Sequence, residues 1–280
     1  MRIVTKIWAL IRHTFRESFA KKTFIAFFAI SSLVHIALIS ALNVDAIEAG
    51  LAMVSVFGKE VHSGSGGIDM HDLIIGVQRV IAFWMFFGGI FLSIFATASL
   101  MPTMLAKGHI ELLVSKPLKR WQILLGRYLG AMSVMLFNVV YLIGGTWLIL
   151  SIKTGIWYQP YLYSIPMVVV AFGIMYAVMT LIGITTQSAG VTVMVAYSLL
   201  FLDVILQQKD KIYALLSSKS YYYFLEGLYQ LTPKTIELGQ MNEALVIGRP
   251  VADWTPLWIS CLLGLALLSL ATFIFSQKDF

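Results

Sequence analysis

A chain of 280 residues that is 59% hydrophobic and only 12% charged is no ordinary soluble domain, since such domains carry roughly a quarter charged residues. Its charges cluster in short stretches between apolar runs long enough to cross a ~30 Å hydrocarbon core, which takes about 20 helical residues. A β-barrel would show alternating segments of about ten residues instead, and the +6 net charge sits mostly beside the apolar runs, where it sets topology and meets lipid, so no nucleic-acid partner is expected.

In chain order, residues 1–20 pattern as an amphipathic helix. Ile3, Val4, Ile7, Ile11, Phe15 and Phe19 share one side, and Arg2, Lys6, Arg12, Arg16 and Glu17 the other. A basic face opposite an aromatic-bearing apolar face suits a helix lying in the membrane interface, here covering 1–22 with Lys21 and Lys22 as an anchor. The basic start leads into a full-length span with no small-residue cleavage pattern, so no cleavable signal peptide is expected.

Spans are expected at 23–42, 73–100, 123–150, 165–186, 191–206 and 254–275. Between the first two lies a polar loop, 43–72, with Gly64, Gly66, Gly67 and acids that include Asp45, Glu48, Asp69 and Asp72. The loop 152–163 holds Trp157 and three tyrosines, an interfacial aromatic belt. A tight turn is expected around Gln187 and Gly190, and a longer mixed segment, 207–253, precedes the last span. The fold class is therefore all-α integral membrane, one transmembrane domain over 1–280.

Basic residues in short loops orient the chain. Arg2, Lys6, Arg12, Arg16, Lys21 and Lys22 precede the first span, and Lys107, Lys116, Lys119, Arg120 and Arg127 follow the second, against only Lys59 in 43–72 and Lys153 in 152–163. Both termini and the segment 101–122 are expected in the cytoplasm of a cell carrying the chain in its inner or plasma membrane, with 43–72 and 207–253 outside. The last of these carries five basic and five acidic residues and constrains topology little.

The segment from Lys107 to Gly130 is the most informative stretch. Ile110, Leu113 and Val114 would share one helical face, with Glu111 and Ser115 on another. Pro117 would end that helix, because the residue before a proline is biased away from helical geometry. Lys119 and Arg120 follow at the membrane edge, and Gly126 and Gly130, four residues apart, suit close helix packing. Such an element either docks on a soluble partner or simply connects two spans under the positive-inside rule.

This segment resembles the ABC-2 permeases. These have an N-terminal interfacial helix, six spans, and between spans two and three the run Gly-Thr-Leu-Glu-Leu-Leu-Leu-Ser-x-Pro-hydrophobic-x-Arg, followed by Ile-Leu-Leu-Gly-Lys. Gly108, Glu111, Leu112, Leu113, Ser115, Pro117, Arg120, Ile123, Leu124, Leu125 and Gly126 match. His109 and Arg127 depart from the pattern, and Leu105, Ala106 and Lys107 stand where the family has acidic residues. Leu231-Thr232-Pro233 and the Phe275…Asp279-Phe280 ending resemble the branch tied to multicopper-enzyme maturation, including nitrous-oxide reductase assembly.

The resemblance implies a coupling helix, with Gly108, Ile110, Glu111, Leu113, Ser115, Pro117, Lys119 and Arg120 receiving the stroke of a cytoplasmic ATPase. The chain has no Gly-x-x-x-x-Gly-Lys-Ser/Thr phosphate loop. It is thus expected to be no enzyme and to hold no cofactor itself, with ATP and Mg on a separate ATPase chain. A second permease copy or a related permease, and membrane lipid, complete the implied partners. Spans one, two and five would line the path by family analogy.

Polar residues within spans are candidate pathway groups. His35 and Asn138 could line a path or hydrogen-bond a neighbouring helix, Asp203 could do so or reach the interface, and Arg79 is expected to snorkel. His62, Asp69, Met70, His71 and Asp72 have mixed ligand types and no spacing of a defined metal site, so solvated loop polarity is the expected reading. The single Cys261 lies in an apolar run, which rules out an intrachain disulfide and any Cys-rich metal site. Two functions compete: an export permease, and a transducer that relays ATPase-driven motion to an extracytoplasmic partner on 43–72 and 207–253. A self-contained carrier would commonly show two related halves, and no convincing repeat is present.

Overall fold

Inside hydrocarbon a backbone can satisfy its polar groups within one segment only as helix, and helix is what the apolar runs form. The structure, a computed structural model, describes residues 3–20, 22–41, 70–105, 118–209, 211–212 and 219–278. Among these residues the protein is all-helical, without strands. Helix α1 covers Ile3–Ala20, α2 Lys22–Ala41, α3 Met70–Thr97 and α4 Leu100–Met104. Then come α5 Arg120–Thr154, a 3₁₀ turn Gln159–Tyr163, α6 Ser164–Thr186 and α7 Ala189–Leu206. The chain closes with α8 Lys219–Leu231, α9 Thr235–Val246 and α10 Thr255–Gln277.

Among the described residues, five stretches are long and apolar enough to cross a membrane: Gln78–Met104, Arg120–Thr154, Gln159–Thr186, Ala189–Leu206 and Thr255–Gln277. They fall on five of the expected spans. The stretch 23–42 falls on α2, in which Phe27–Ser40 is an apolar helix among the described residues. Helix α5 outgrows its expected bounds: its 35 residues make it about 52 Å long at ~1.5 Å per residue, well beyond the hydrocarbon core. It ends at Gly155, whose positive φ of 75° lets its N–H return to the Ser151 carbonyl at 2.9 Å.

Helix α6 is the hub. It is apolar all round, 78% of its most hydrophobic stretch is buried, and α3, α5, α7 and α10 pack on it. Without a hydrophobic drive between helices in lipid, close packing at small residues must hold them. A Cβ on Gly264 of α10 would stand 3.4 Å from Ile174 Cα, and one on Gly183 3.1 Å from Met101 Cβ of α4. Tyr128 of α5 adds a hydrogen bond to the Gly173 carbonyl at 2.8 Å. The turn into α7 is made by Gln187, a non-glycine residue at φ 54°, while Gly190 already belongs to α7.

Segment 207–253 is not a plain loop. It contains α8 and α9, and α9 buries Leu238, Met241, Asn242 and Val246 against α3, α6 and the 3₁₀ turn. Gly239 permits this approach, since a Cβ there would lie 2.6 Å from Phe87 Cζ.

Candidate functional site

Gly108, Ile110, Glu111, Leu113, Ser115 and Pro117 lie outside the described residues, but both flanks of their segment are described. On one side α4 is buried through Leu100, Met101, Pro102 and Met104, against α6. On the other, Lys119 caps α5, its N–H held by Gln122 Oε1 at 3.1 Å. Arg120 reaches the far end of the sequence: its Nη1 donates to the carbonyls of Ser276, at 3.0 Å, and Lys278. Lys278 Nζ in turn donates to the Ile184 carbonyl at 2.6 Å. Two cations thereby satisfy last-turn carbonyls of α10 and α6, groups that no intrahelical partner can satisfy, at the negative ends of both helix dipoles.

Helix α1 is seated on the same start of α5. Cβ atoms on Gly126 and Gly130 would meet Leu10 Cβ at 2.7 Å and Thr14 Cβ at 2.5 Å, so the two helices run in step over a turn with almost no side chain between them. Arg127, 2% exposed, is ion-paired with Glu17, and Phe15 meets Phe137 edge-on at 6.0 Å. On α1 Leu10 and Thr14 are buried and Ile11, Phe15 and Glu17 half-buried, the glycines on α5 making room for Leu10 and Thr14. Trp8 remains 66% exposed.

The three candidate pathway residues are not brought to one place. His35 Nε2 lies 3.0 Å from the Leu142 carbonyl, with its ring 4.9 Å from Tyr141 and seated over Gly145. It ties α2 to α5. Asn138 Nδ2 bonds the Val134 carbonyl of its own helix at 3.0 Å, leaving Oδ1 buried without a partner. Asp203, 1% exposed at the end of α7, accepts Thr235 Oγ1 at 2.6 Å and Ile236 N–H at 2.9 Å. It caps α9 from another helix. Arg79, expected to snorkel, instead pairs with Glu243 of α9, Nε to Oε1 at 2.5 Å.

Around that cap lies a charged network that pattern reading missed. Lys209 Nζ bonds Glu226 at 2.5 Å and stands 3.8 Å from the centre of the Tyr229 ring, which Lys234 Nζ approaches to 4.0 Å. Tyr229 donates its hydroxyl to Glu237. Burial and this acidic acceptor push the Tyr229 phenol up, and the hydrogen bond from Lys209 holds the Glu226 carboxyl down. Five of these groups lie in 207–237 with none at helical spacing across elements, so only the chain path joins them. Lys209, Tyr229 and Glu237 border an open cleft of about 540 Å³ between the end of α7, α9 and the start of α10. A second hollow, about 310 Å³ and almost wholly apolar, lies between α2, α3 and α5.

No family model and no curated protein matches this chain. Its site therefore has to be read from its own geometry. Among the described residues no three His, Cys, Asp or Glu side chains come together as metal ligands. Of the residues of the outer-loop group, His62 and Asp69 lie outside the described residues, and Met70, His71 and Asp72 form the first turn of α3. The arrangement offers two candidate working regions: the joint of α1, α5 and α10 beside the 106–117 segment, and the capped helix pair α8–α9 with its cleft.

Proposed function

We propose that this chain is the membrane-spanning permease subunit of an ATP-driven ABC export complex, of the ABC-2 type. In this reading it has six spans, with α2 as the first, and both termini face the cytoplasm. A separate ATPase chain binds ATP and Mg, and a second permease copy completes the translocation path. The observation that carries the reading is the joint at the start of α5. The residues matching the family motif lead straight into Arg120 and Gly126, and there α1, α5, α6 and α10 are clasped by Arg120, Arg127 and Lys278. A push on the segment ending at Pro117 would therefore move several helices as one body rather than bend one.

The test is recovery of a soluble ATPase with the tagged protein from native membranes in mild detergent. Wild type should retain it, Glu111→Arg should lose most of it, and Pro117→Ala should weaken it. Failure to recover any ATPase, even after crosslinking, would sink the proposal.

A second reading is favoured by the α8–α9 pair. Asp203 fastens α9 to α7 and Glu243 fastens it to Arg79 of α3, so motion of two spans would be delivered through the buried α9 to α8, which exposes Tyr222, Tyr223 and Phe224. In that reading the chain is a transducer acting on an extracytoplasmic protein. ATPase activity would then respond to that protein and not to a small molecule.

A further inference from the structure

Segment 106–117 connects α4 to the start of α5, and both of its flanks are fastened to one turn of α6. The first flank begins with a break. Pro102 has no N–H to give the Ala98 carbonyl and its ring crowds that oxygen, so a helix cannot run through it undisturbed. Helix α3 accordingly stops at Thr97 and α4 starts at Leu100, although Ser99 between them keeps nearly helical angles, φ −77° and ψ −13°. Past the break the chain turns into the protein. Leu100, Met101, Pro102 and Met104 are buried, and α4 packs on α5 and α6.

Gly183, in the last turn of α6, receives α4. A Cβ there would lie 3.1 Å from Met101 Cβ and 3.3 Å from Pro102 Cδ. Neither atom can rotate away, because one is fixed to the backbone and the other belongs to a ring. Thr192 Oγ1 of α7 stands 3.6 Å from the same point and closes the notch. The second flank reaches α6 one residue further on. The Ile184 carbonyl accepts Lys278 Nζ at 2.6 Å, and the Lys278 carbonyl accepts Arg120 Nη1 at the first residue of α5. The two sides of the segment therefore meet at consecutive residues of the hub helix.

Resting on the permease reading, we infer that the last turn of α6, at Gly183 and Ile184, receives the ATPase stroke delivered to 106–117, with Pro102 and Gly183 as positioning residues. Pro102 withholds one rung of the hydrogen-bond ladder between α3 and α4, so a push on the segment bends that joint instead of travelling along α3. Gly183 keeps α4 seated on α6, so α4 and α6 move as one body. The stroke thus enters the bundle through its central helix, and α3 follows only by its lateral packing.

The test is the measurement of distances between pairs of spin labels in the complex purified with its ATPase into nanodiscs, with and without ATP and vanadate. Cys261→Ser supplies the background, since Cys261 is the one cysteine of the chain. The labels go on exposed positions: Val80 of α3, Thr103 of α4 and Tyr163 at the start of α6. Trapping with vanadate should shift the Val80–Thr103 distance by about 2 Å, the scale on which packed helices slide, and leave Thr103–Tyr163 unchanged. Pro102→Ala, which returns the missing N–H, should abolish that shift. Gly183→Leu should unseat α4, so that Thr103–Tyr163 broadens and now responds to nucleotide. Both variants should still recover the ATPase as wild type does, which a general loss of structure would not allow. If Gly183→Leu does not fold, Pro102→Ala decides alone. An unmoved Val80–Thr103 pair in wild type, an equal shift in Thr103–Tyr163, or a wild-type response in the folded variants overturns the inference, while the recovered ATPase leaves the permease reading standing. Absence of any ATPase with wild type sinks that reading, and this inference with it.

Discussion

The two ends of the helix bundle are closed by different means. Where α1 and the end of α10 meet the start of α5, the cations find partners, while the Tyr176 hydroxyl beside Tyr128 stays buried without one. Arg120 and Lys278 satisfy helix-terminal carbonyls, and Arg127 finds Glu17. At the end where α9 folds over α3 and α6, the Asp203, Arg79 and Lys209 contacts stand beside a larger set of buried groups without partners. Both ends of the Gln78 amide, both ends of the Asn242 amide, and the hydroxyls of Ser151 and Ser164 are buried without a hydrogen bond. Each such group costs about 1–3 kcal/mol. Ion pairs and capped carbonyls are therefore gathered where the motif-bearing segment enters, and most of the unpartnered buried polar groups at the end that α9 covers.

Glu17→Ala is the strongest way to break this contrast. It leaves the Arg127 guanidinium, 2% exposed, without its counter-ion, a loss on the order of 3 kcal/mol. Thermal unfolding in detergent should show it, and adding Arg127→Met should recover most of the loss. If Glu17→Ala leaves the melting temperature unchanged, the joint is not held by this pair. Next in size, Asp203→Ala removes the carboxylate oxygen that accepts both bonds of the α9 cap and should cost about 2 kcal/mol. Hydrogen exchange at Thr235 to Leu238 should rise sharply while exchange along α6 stays slow. Uniform loosening of both helices would mean that Asp203 supports the whole bundle and not the cap alone.

The spans were legible because twenty apolar residues admit few alternatives in a membrane. The joint was half legible: Gly126 and Gly130 announce a close neighbour, but nothing in their spacing says that it is Leu10 and Thr14. Helix α1 reads as an amphipathic helix from its Ile/Phe stripe, and those two glycines are what let Leu10 and Thr14 beside that stripe come so close to α5. The cap over the far end could not be read at all. Asp203 sits within an apolar run and its partners lie 32 and 33 residues on, and Arg79 finds Glu243 164 residues away. Such pairings depend on how α8 and α9 fold back, which a mixed, loop-like composition conceals.

Gln78→Leu should sharpen the contrast from the other side. Replacing an unpartnered buried amide by an apolar side chain of similar size should stabilise the protein by about 1 kcal/mol, seen as a higher midpoint in thermal unfolding. Destabilisation would show that the amide is satisfied and that the far end is as well paired as the near one. Gln187→Gly tests the turn at the near end, three residues past the Ile184 carbonyl that Lys278 binds. A left-handed conformation costs an L-residue about 1 kcal/mol, so glycine at φ 54° should give a slight gain. No change in midpoint would mean that the turn relaxes without strain.

The smallest effect is expected at the Lys209–Glu226 pair. Its carboxylate is held below its ordinary pKa of 4.5 by the Lys209 hydrogen bond. A carboxyl depressed in the folded state contributes stability that is fully present above its unfolded pKa and is lost as pH falls through the folded value. Both side chains are partly exposed, so the contribution is under ~1 kcal/mol and weakens with salt. Hydrogen exchange along α8 should therefore quicken modestly between about pH 6 and about pH 4, after correction for intrinsic rates. Glu226→Gln should quicken it at the higher pH and abolish the further change. If α8 instead loosens as pH rises over that range, Lys209 and Glu226 are not the pair that holds it, and the capped end is tied down by Asp203 and Arg79 alone.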